Sequence, residues 1–108
     1  MTGTAAPALC WCPFPDVASA EAAAATLLDE GLIACANIVP GLRTLYAWNG
    51  ERGGGSEAGA LLKTNESLIK KLVARLAELH PYEEPAILGW PCDFTTPGTA
   101  AWLGGLTG

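Results

Sequence analysis

The order of apolar and polar positions along the chain predicts alternating strands and helices. Residues 8–13 form a short apolar run typical of a strand, and two closely spaced prolines end it. Residues 17–30 are rich in alanine and follow Asp16, which is a good helix N-cap, so we predict a helix there. Its predicted inward stripe is Ala20, Ala24, Leu27 and Leu28. Gly31 stands where a helix end needs a left-handed backbone conformation.

A long β-hairpin is predicted in the middle of the chain. Strand formers dominate residues 32–48 and return over 56–64. The segment 49–55 between them holds an Asn-Gly pair and three successive glycines, so we predict that all of it is the hairpin loop. Pro40-Gly41 interrupts the first strand and indicates a bulge within one long strand. Both strands exceed the usual length of about five to six residues, so the hairpin should project from the domain.

The second half of the chain predicts one clear amphipathic helix and two shorter elements. Asn65 is expected to cap this helix and Pro81 to end it. Its apolar stripe consists of Leu68, Leu72, Leu76 and Leu79. A last strand is predicted over residues 86–93 and a short helix or turn over 97–106.

This order of elements predicts an α+β fold in a single domain over residues 1–108. The expected architecture is a ferredoxin-like βαββαβ sandwich with a long central β-hairpin and a short C-terminal helix. Both major helices would cover one face of the sheet and leave the other face bare. A bare sheet face and the projecting aromatics Tyr46 and Trp48 are surfaces that subunit association would cover, so we predict an oligomer.

Composition and charge exclude several classes of protein. The 108 residues are 50% hydrophobic and only 16% charged, which is typical of a packed domain and not of a disordered segment. The formal net charge of −5 and the lack of a basic cluster argue against a nucleic-acid partner. No apolar stretch reaches the length of a membrane span, and the first residues lack an export signal. We therefore predict a cytoplasmic protein with four reduced cysteines, although four cysteines could also form two disulfides in a secreted chain.

Three sequence blocks resemble a known family. They are Ala34-Cys35-Ala36-Asn37-Ile38-Val39-Pro40-Gly41 continuing through Tyr46 and Trp48-Asn49-Gly50, then Leu62-Lys63-Thr64, then His80-Pro81-Tyr82-Glu83-Glu84-Pro85. In order and spacing they are similar to the CutA divalent-cation tolerance proteins, over roughly residues 8–103. The resemblance implies a ferredoxin-like subunit that forms a cytoplasmic homotrimer through its extended hairpin strands. It also implies a link to copper and other divalent metal ions, and no established catalysis.

The same resemblance points to candidate metal ligands. Cys12 corresponds to a first-strand cysteine associated with copper in some relatives, and His80 to the histidine beside the helix end. Thiolate and imidazole together suit copper or zinc. Because two ligands do not close a site, we predict that Glu83, Cys10 or a symmetry-related chain completes it, and we take Cys12, His80 and Glu83 as the metal ligands. In the structural alternative, Cys12 is a buried core residue and His80 interacts with the negative end of the helix dipole. Glu83 would then stabilise the turn of the loop by bonding to neighbouring backbone or to a basic group of another subunit.

Two further classes of function stay open at this point. A small-ligand-sensing or signalling trimer resembling the PII proteins would place Lys63, Tyr82 and Glu83 in a cleft. A structural trimer would recruit another protein through its hairpin tips. An enzyme is not predicted, because the single histidine of the chain is accompanied by no nucleophile motif.

Overall fold

A computed structural model describes residues 5–108 and gives seven elements in the predicted order. They are β1 (Pro7–Phe14), α1 (Val17–Asp29), β2 (Cys35–Trp48), β3 (Glu51–Asn65), α2 (Ile69–Leu79), β4 (Leu88–Pro91) and α3 (Pro97–Gly104). The prediction of an α+β βαββαβ arrangement with a short C-terminal helix is confirmed. Residues 1–4, which the single-domain prediction includes, lie outside the described residues.

One antiparallel sheet of four strands organises the fold, in the order β2-β3-β1-β4. Alternate residues of β1 point to the helices, so Cys10, Cys12 and Phe14 are all buried. They meet Leu72 and Leu76 of α2 in one hydrophobic cluster to which α1 also contributes. Both helices therefore pack on the same face of the sheet.

The inward stripe of α1 differs from the predicted one at a single position. Its buried residues are Ala20, Ala23, Ala24 and Leu27, which follow the spacing of one helical face. Leu28 is 46% exposed, so its assignment to the core was wrong. Ala23, which lies one turn before Leu27, is buried instead of Leu28. The helix ends as predicted, with Gly31 at a φ of 70°.

The turn of the hairpin is tighter than predicted and β3 is longer, whereas β2 begins at Cys35 and not at residue 32. The turn is Asn49-Gly50 alone, with positive φ values of 51° and 77°, as a two-residue type I′ turn requires. The glycine run belongs to β3, where Gly53 pairs with Tyr46. A Cβ at Gly53 would come within 2.4 Å of the end of the Tyr46 side chain, so in this structure Gly53 leaves room for the ring and does not form a loop. The predicted bulge is confirmed by a register shift between Val39 and Leu42.

Asn65 has a different role from the predicted helix cap. It ends β3, and α2 begins only at Ile69. Its side-chain amide is fully buried and donates hydrogen bonds to the carbonyl oxygens of Leu103 (2.8 Å) and Leu106 (2.9 Å). Its oxygen accepts hydrogen bonds from the backbone N–H and the hydroxyl of Ser67. Asn65 therefore fastens the C-terminal helix to the sheet.

The face of the sheet opposite the helices carries large apolar side chains. Cross-strand neighbours share a face, and Trp11 of β1 is paired with Leu61 of β3 and with Leu88 of β4. Leu9 is paired in the same way with Trp90. Leu88 is 61% exposed and Trp90 42% exposed, so this apolar face is uncovered in the single chain.

Candidate functional site

His80 lies at the junction of α2 with the following loop and is held by three contacts. Its Nδ1 accepts the backbone N–H of Tyr82 at 3.0 Å, so the ring proton lies on Nε2. Nε2 donates to the carbonyl oxygen of Pro13 at 2.8 Å. The ring stacks on Phe14 with centroids 4.3 Å apart and is almost fully buried. His80 therefore joins the end of β1 to the loop, and neither ring nitrogen has a free lone pair in this arrangement.

Cys12 is fully buried on β1, beside the same carbonyl group. Its thiol contacts the Pro13 oxygen at a distance of 3.6 Å. Burial, followed by the nearby Cys10 and Glu57, raises the pKa of Cys12 to about 12. Burial also raises the pKa of Cys10 to about 11. Both sulfurs are therefore thiols at neutral pH. The Cys12 thiol and the His80 ring both contact the carbonyl oxygen of Pro13.

Glu83 does not lie in a preformed cluster with these two residues. It is exposed on the loop between Pro81 and Pro85. Within residues 5–108, no three His, Cys, Asp or Glu side chains are grouped closely enough to hold a metal ion. The structure thus places the predicted Cys12 and His80 at one carbonyl oxygen, and residues 5–108 of the same chain add no third ligand beside them.

A cavity of about 560 Å³ lies between the long hairpin and the loop that follows His80. Its aromatic walls are Tyr46, Trp48 and Tyr82, and its carboxylates are Glu57, Glu83 and Glu84. The hydroxyl of Tyr82 donates to Oε2 of Glu57 at 2.7 Å. Burial and this carboxylate raise the pKa of Tyr82 to about 12. The loop is thereby joined to β3 of the hairpin.

Sequence reasoning found only part of this cavity. It named Tyr82 and Glu83 for a cleft between the subunits of a trimer, and both line this cavity within one chain. It also named Lys63, which instead lies in the sheet between Leu9 and Cys35. Glu57 was missed because no local pattern shows that it faces a loop 25 residues away along the chain.

Fold and site together define a class of protein: small α+β subunits with one helix-covered sheet, a projecting β2–β3 hairpin and metal-binding residue types at the end of β1. The chain belongs to the CutA1 divalent ion tolerance protein family, whose model matches residues 8–105. This family is non-catalytic, in agreement with the prediction from the sequence.

Relatives support this assignment in sequence and in structure. The divalent-cation tolerance protein CutA of Pyrococcus horikoshii is 46% identical over 90 residues, which are 83% of this chain and 87% of the relative. The divalent cation tolerance protein of Thermus thermophilus superposes with a TM-score of 0.89 at 35% identity and covers 94% of this chain and 99% of its own.

A more distant structure agrees in fold alone. It is the CutA of Archaeoglobus fulgidus, with a TM-score of 0.85 at 24% identity, covering 90% of this chain and 94% of its own. That protein is described as periplasmic. In the part of the present chain that the structure describes, no helix is long and apolar enough to cross a bilayer.

Proposed function

We propose that this chain serves divalent-cation tolerance as a cytoplasmic homotrimer that binds copper or another divalent metal ion. The family model and the names of the relatives support the link with divalent cations. All four cysteines are free, which favours a reducing compartment such as the cytoplasm. The observation that carries the metal part of the proposal is the convergence of Cys12 and His80 on the Pro13 carbonyl oxygen.

The metal ligands in this proposal are Cys12 and His80, with Glu83 or a group from a neighbouring copy completing the site. Binding requires three local changes. The Cys12 thiol loses its proton to solvent, and Nε2 of His80 gives up its bond to the Pro13 carbonyl oxygen. The ring proton moves from Nε2 to Nδ1, which ends the hydrogen bond that Nδ1 accepts from the Tyr82 N–H and frees the Nε2 lone pair for the metal. A soft ion such as Cu(I) suits sulfur and imidazole and competes well for a thiol proton. Because binding releases a proton, affinity should rise with pH.

A copper titration of the reduced protein against a competing chelator tests this site. Cys12→Ser and His80→Gln should each weaken copper binding by about tenfold or more, and Glu83→Gln should weaken it less. Glu84→Gln, at the neighbouring exposed position, is the matched control and should leave binding unchanged. Equal affinity in the wild type, Cys12→Ser and His80→Gln would disprove the site.

The trimer in this proposal rests on the uncovered apolar face of the sheet and on the projecting hairpin. Such surfaces are rare on monomers and typical of subunit interfaces. Leu88→Glu places a charge on the uncovered face, where Leu88 is 61% exposed. Leu28→Glu is the control, because Leu28 is also an exposed leucine but lies on the helix side.

Light scattering at micromolar concentration distinguishes the two variants. The wild type and Leu28→Glu should have three times the mass of one chain, and Leu88→Glu should dissociate. A monomeric wild type would overturn the trimer. Cell fractionation tests the compartment, and recovery of the protein in the periplasmic fraction would overturn the cytoplasmic assignment.

A further inference from the structure

Tyr82 holds the loop that follows His80, and it does so through two hydrogen bonds. Its backbone N–H donates to Nδ1 of His80 at 3.0 Å, and its hydroxyl donates to Oε2 of Glu57 at 2.7 Å. Within the described part of the chain, residues 81–86 make no other hydrogen bond. Both bonds lie inside one chain, so they do not depend on a surface that assembly would cover. The loop is thus fastened at a single residue.

The N–H of Tyr82 makes the His80 ring unavailable as a metal ligand. If Nδ1 is the ligand, the N–H occupies the place where the ion would bind. If Nε2 is the ligand, the ring proton must lie on Nδ1, and two donors would then face each other at 3.0 Å. Either ring nitrogen can therefore act as a ligand only after the N–H of Tyr82 has moved away.

The hydroxyl of Tyr82 opposes this movement. Its acceptor, Glu57, is half-buried on β3, which is an inner strand of the sheet and is therefore a firm anchor. The Tyr82 ring lies against the His80 ring, with centroids 4.8 Å apart. The fixed φ of Pro81 also limits how far the peptide group between Pro81 and Tyr82 can turn by itself. A shift of Tyr82 away from His80 must therefore stretch or break the bond to Glu57.

We propose that the hydrogen bond from Tyr82 to Glu57 is a latch that keeps His80 in a closed form in which it cannot bind metal. This inference rests on the proposed function, because it concerns the use of His80 as a ligand. The closed form is in equilibrium with an open form in which the Tyr82 N–H has left Nδ1. The apparent affinity for copper is then the affinity of the open form multiplied by the fraction of chains that are open. Tyr82 is a positioning residue in this arrangement, and Glu57 anchors it.

Tyr82→Phe removes the hydroxyl, keeps the ring and opens the latch without changing a charge. In the metal-free protein, hydrogen exchange of the residue-82 amide should become about threefold to tenfold faster, since one partly exposed hydrogen bond is lost. In a Cu(I) titration at the same pH against a competing chelator, the affinity should increase by the same factor, because both quantities follow the open fraction. A residue that only supports the structure of the site would weaken binding when it is changed.

Two comparisons show whether this effect comes from the latch. Glu57 also adds, after burial and Cys10, to the raised pKa of Cys12, so a Glu57 variant changes the thiol as well as the latch. Tyr82→Phe is therefore repeated in a Glu57→Ala background, where it should have no further effect on exchange or on affinity. Tyr46→Phe is the matched control: it removes the hydroxyl of the other tyrosine of the chain, which is not bonded to the loop, and should leave both quantities unchanged.

The outcomes separate the latch from the metal site. Unchanged exchange in Tyr82→Phe, an equal effect of Tyr46→Phe, or an effect of the same size in the Glu57→Ala background would overturn the latch. Faster exchange with unchanged or weaker copper binding would also overturn it, while the copper site of the proposed function would stand. A wild type that binds no copper would overturn the proposed function and this inference with it.

Discussion

The His80 ring should contribute strongly to stability whether or not metal is bound. His80→Ala removes the stack on Phe14, which is worth about 1 kcal/mol beyond simple burial. It also leaves the Pro13 carbonyl and the Tyr82 N–H without partners. Each of these groups is part-buried and partly reached by water, so each loss costs about 1 kcal/mol. We therefore expect a loss of about 3 kcal/mol in the free energy of unfolding, a large share of the typical 5–15 kcal/mol.

Urea unfolding with a metal chelator present, at one fixed protein concentration, measures this loss. The fixed concentration matters because the stability of an oligomer depends on it. His80→Gln retains an Nε2 donor and should recover about 1 kcal/mol of the loss by bonding to Pro13. A loss below about 1 kcal/mol in His80→Ala would refute the structural role that we assign to the ring.

Two further predictions concern the buried thiols and the bare face of the sheet. The folded-state pKa values of Cys10 and Cys12 are raised to about 11 and 12 from 9.0, so the unfolded chain loses these protons first and stability should fall as pH rises above 9. In the Cys10→Ala/Cys12→Ala variant this alkaline slope of unfolding free energy should become shallower, and an unchanged slope would contradict the assignment. Gly59→Ala should destabilise by about 1–3 kcal/mol, because its Cβ would lie 2.2 Å from the Trp11 ring. Gly98→Ala, where nothing lies within 4 Å, is the control in the same thermal melt, and equal melting points for the two variants would refute the packing argument.

Local chemistry explains why most of the fold could be predicted from the sequence. The alanine-rich α1, the Asn49-Gly50 turn and the Pro40-Gly41 bulge each follow from the residues that form them. The errors arose at residues whose structural role depends on a partner that is distant in the sequence. The glycines of β3 resemble a loop until the ring of Tyr46 is seen above Gly53, and Asn65 resembles a cap until its bonds to the C-terminal helix are known.

The candidate site was less accessible to sequence reasoning. The resemblance identified Cys12 and His80, and the structure places both at one carbonyl group. Two features of the pair could not be predicted from local pattern: burial raises the pKa of the Cys12 thiol, and His80 bonds to Pro13, which lies 67 residues earlier in the chain. The bond between Tyr82 and Glu57 likewise joins residues 25 positions apart in the sequence, which no short pattern reveals.

X-ray absorption at the copper edge of the Cu(I)-loaded, reduced protein identifies the atoms bound to the metal. Copper bound by Cys12 and His80 should show a sulfur scatterer at about 2.3 Å together with the multiple-scattering pattern of an imidazole. Cys12→Ser should abolish the sulfur shell, while Cys92→Ser, at a half-buried thiol outside the proposed site, should leave it in place. A spectrum with only oxygen and nitrogen neighbours in the wild type, or a sulfur shell that persists in Cys12→Ser, would contradict copper binding at this site.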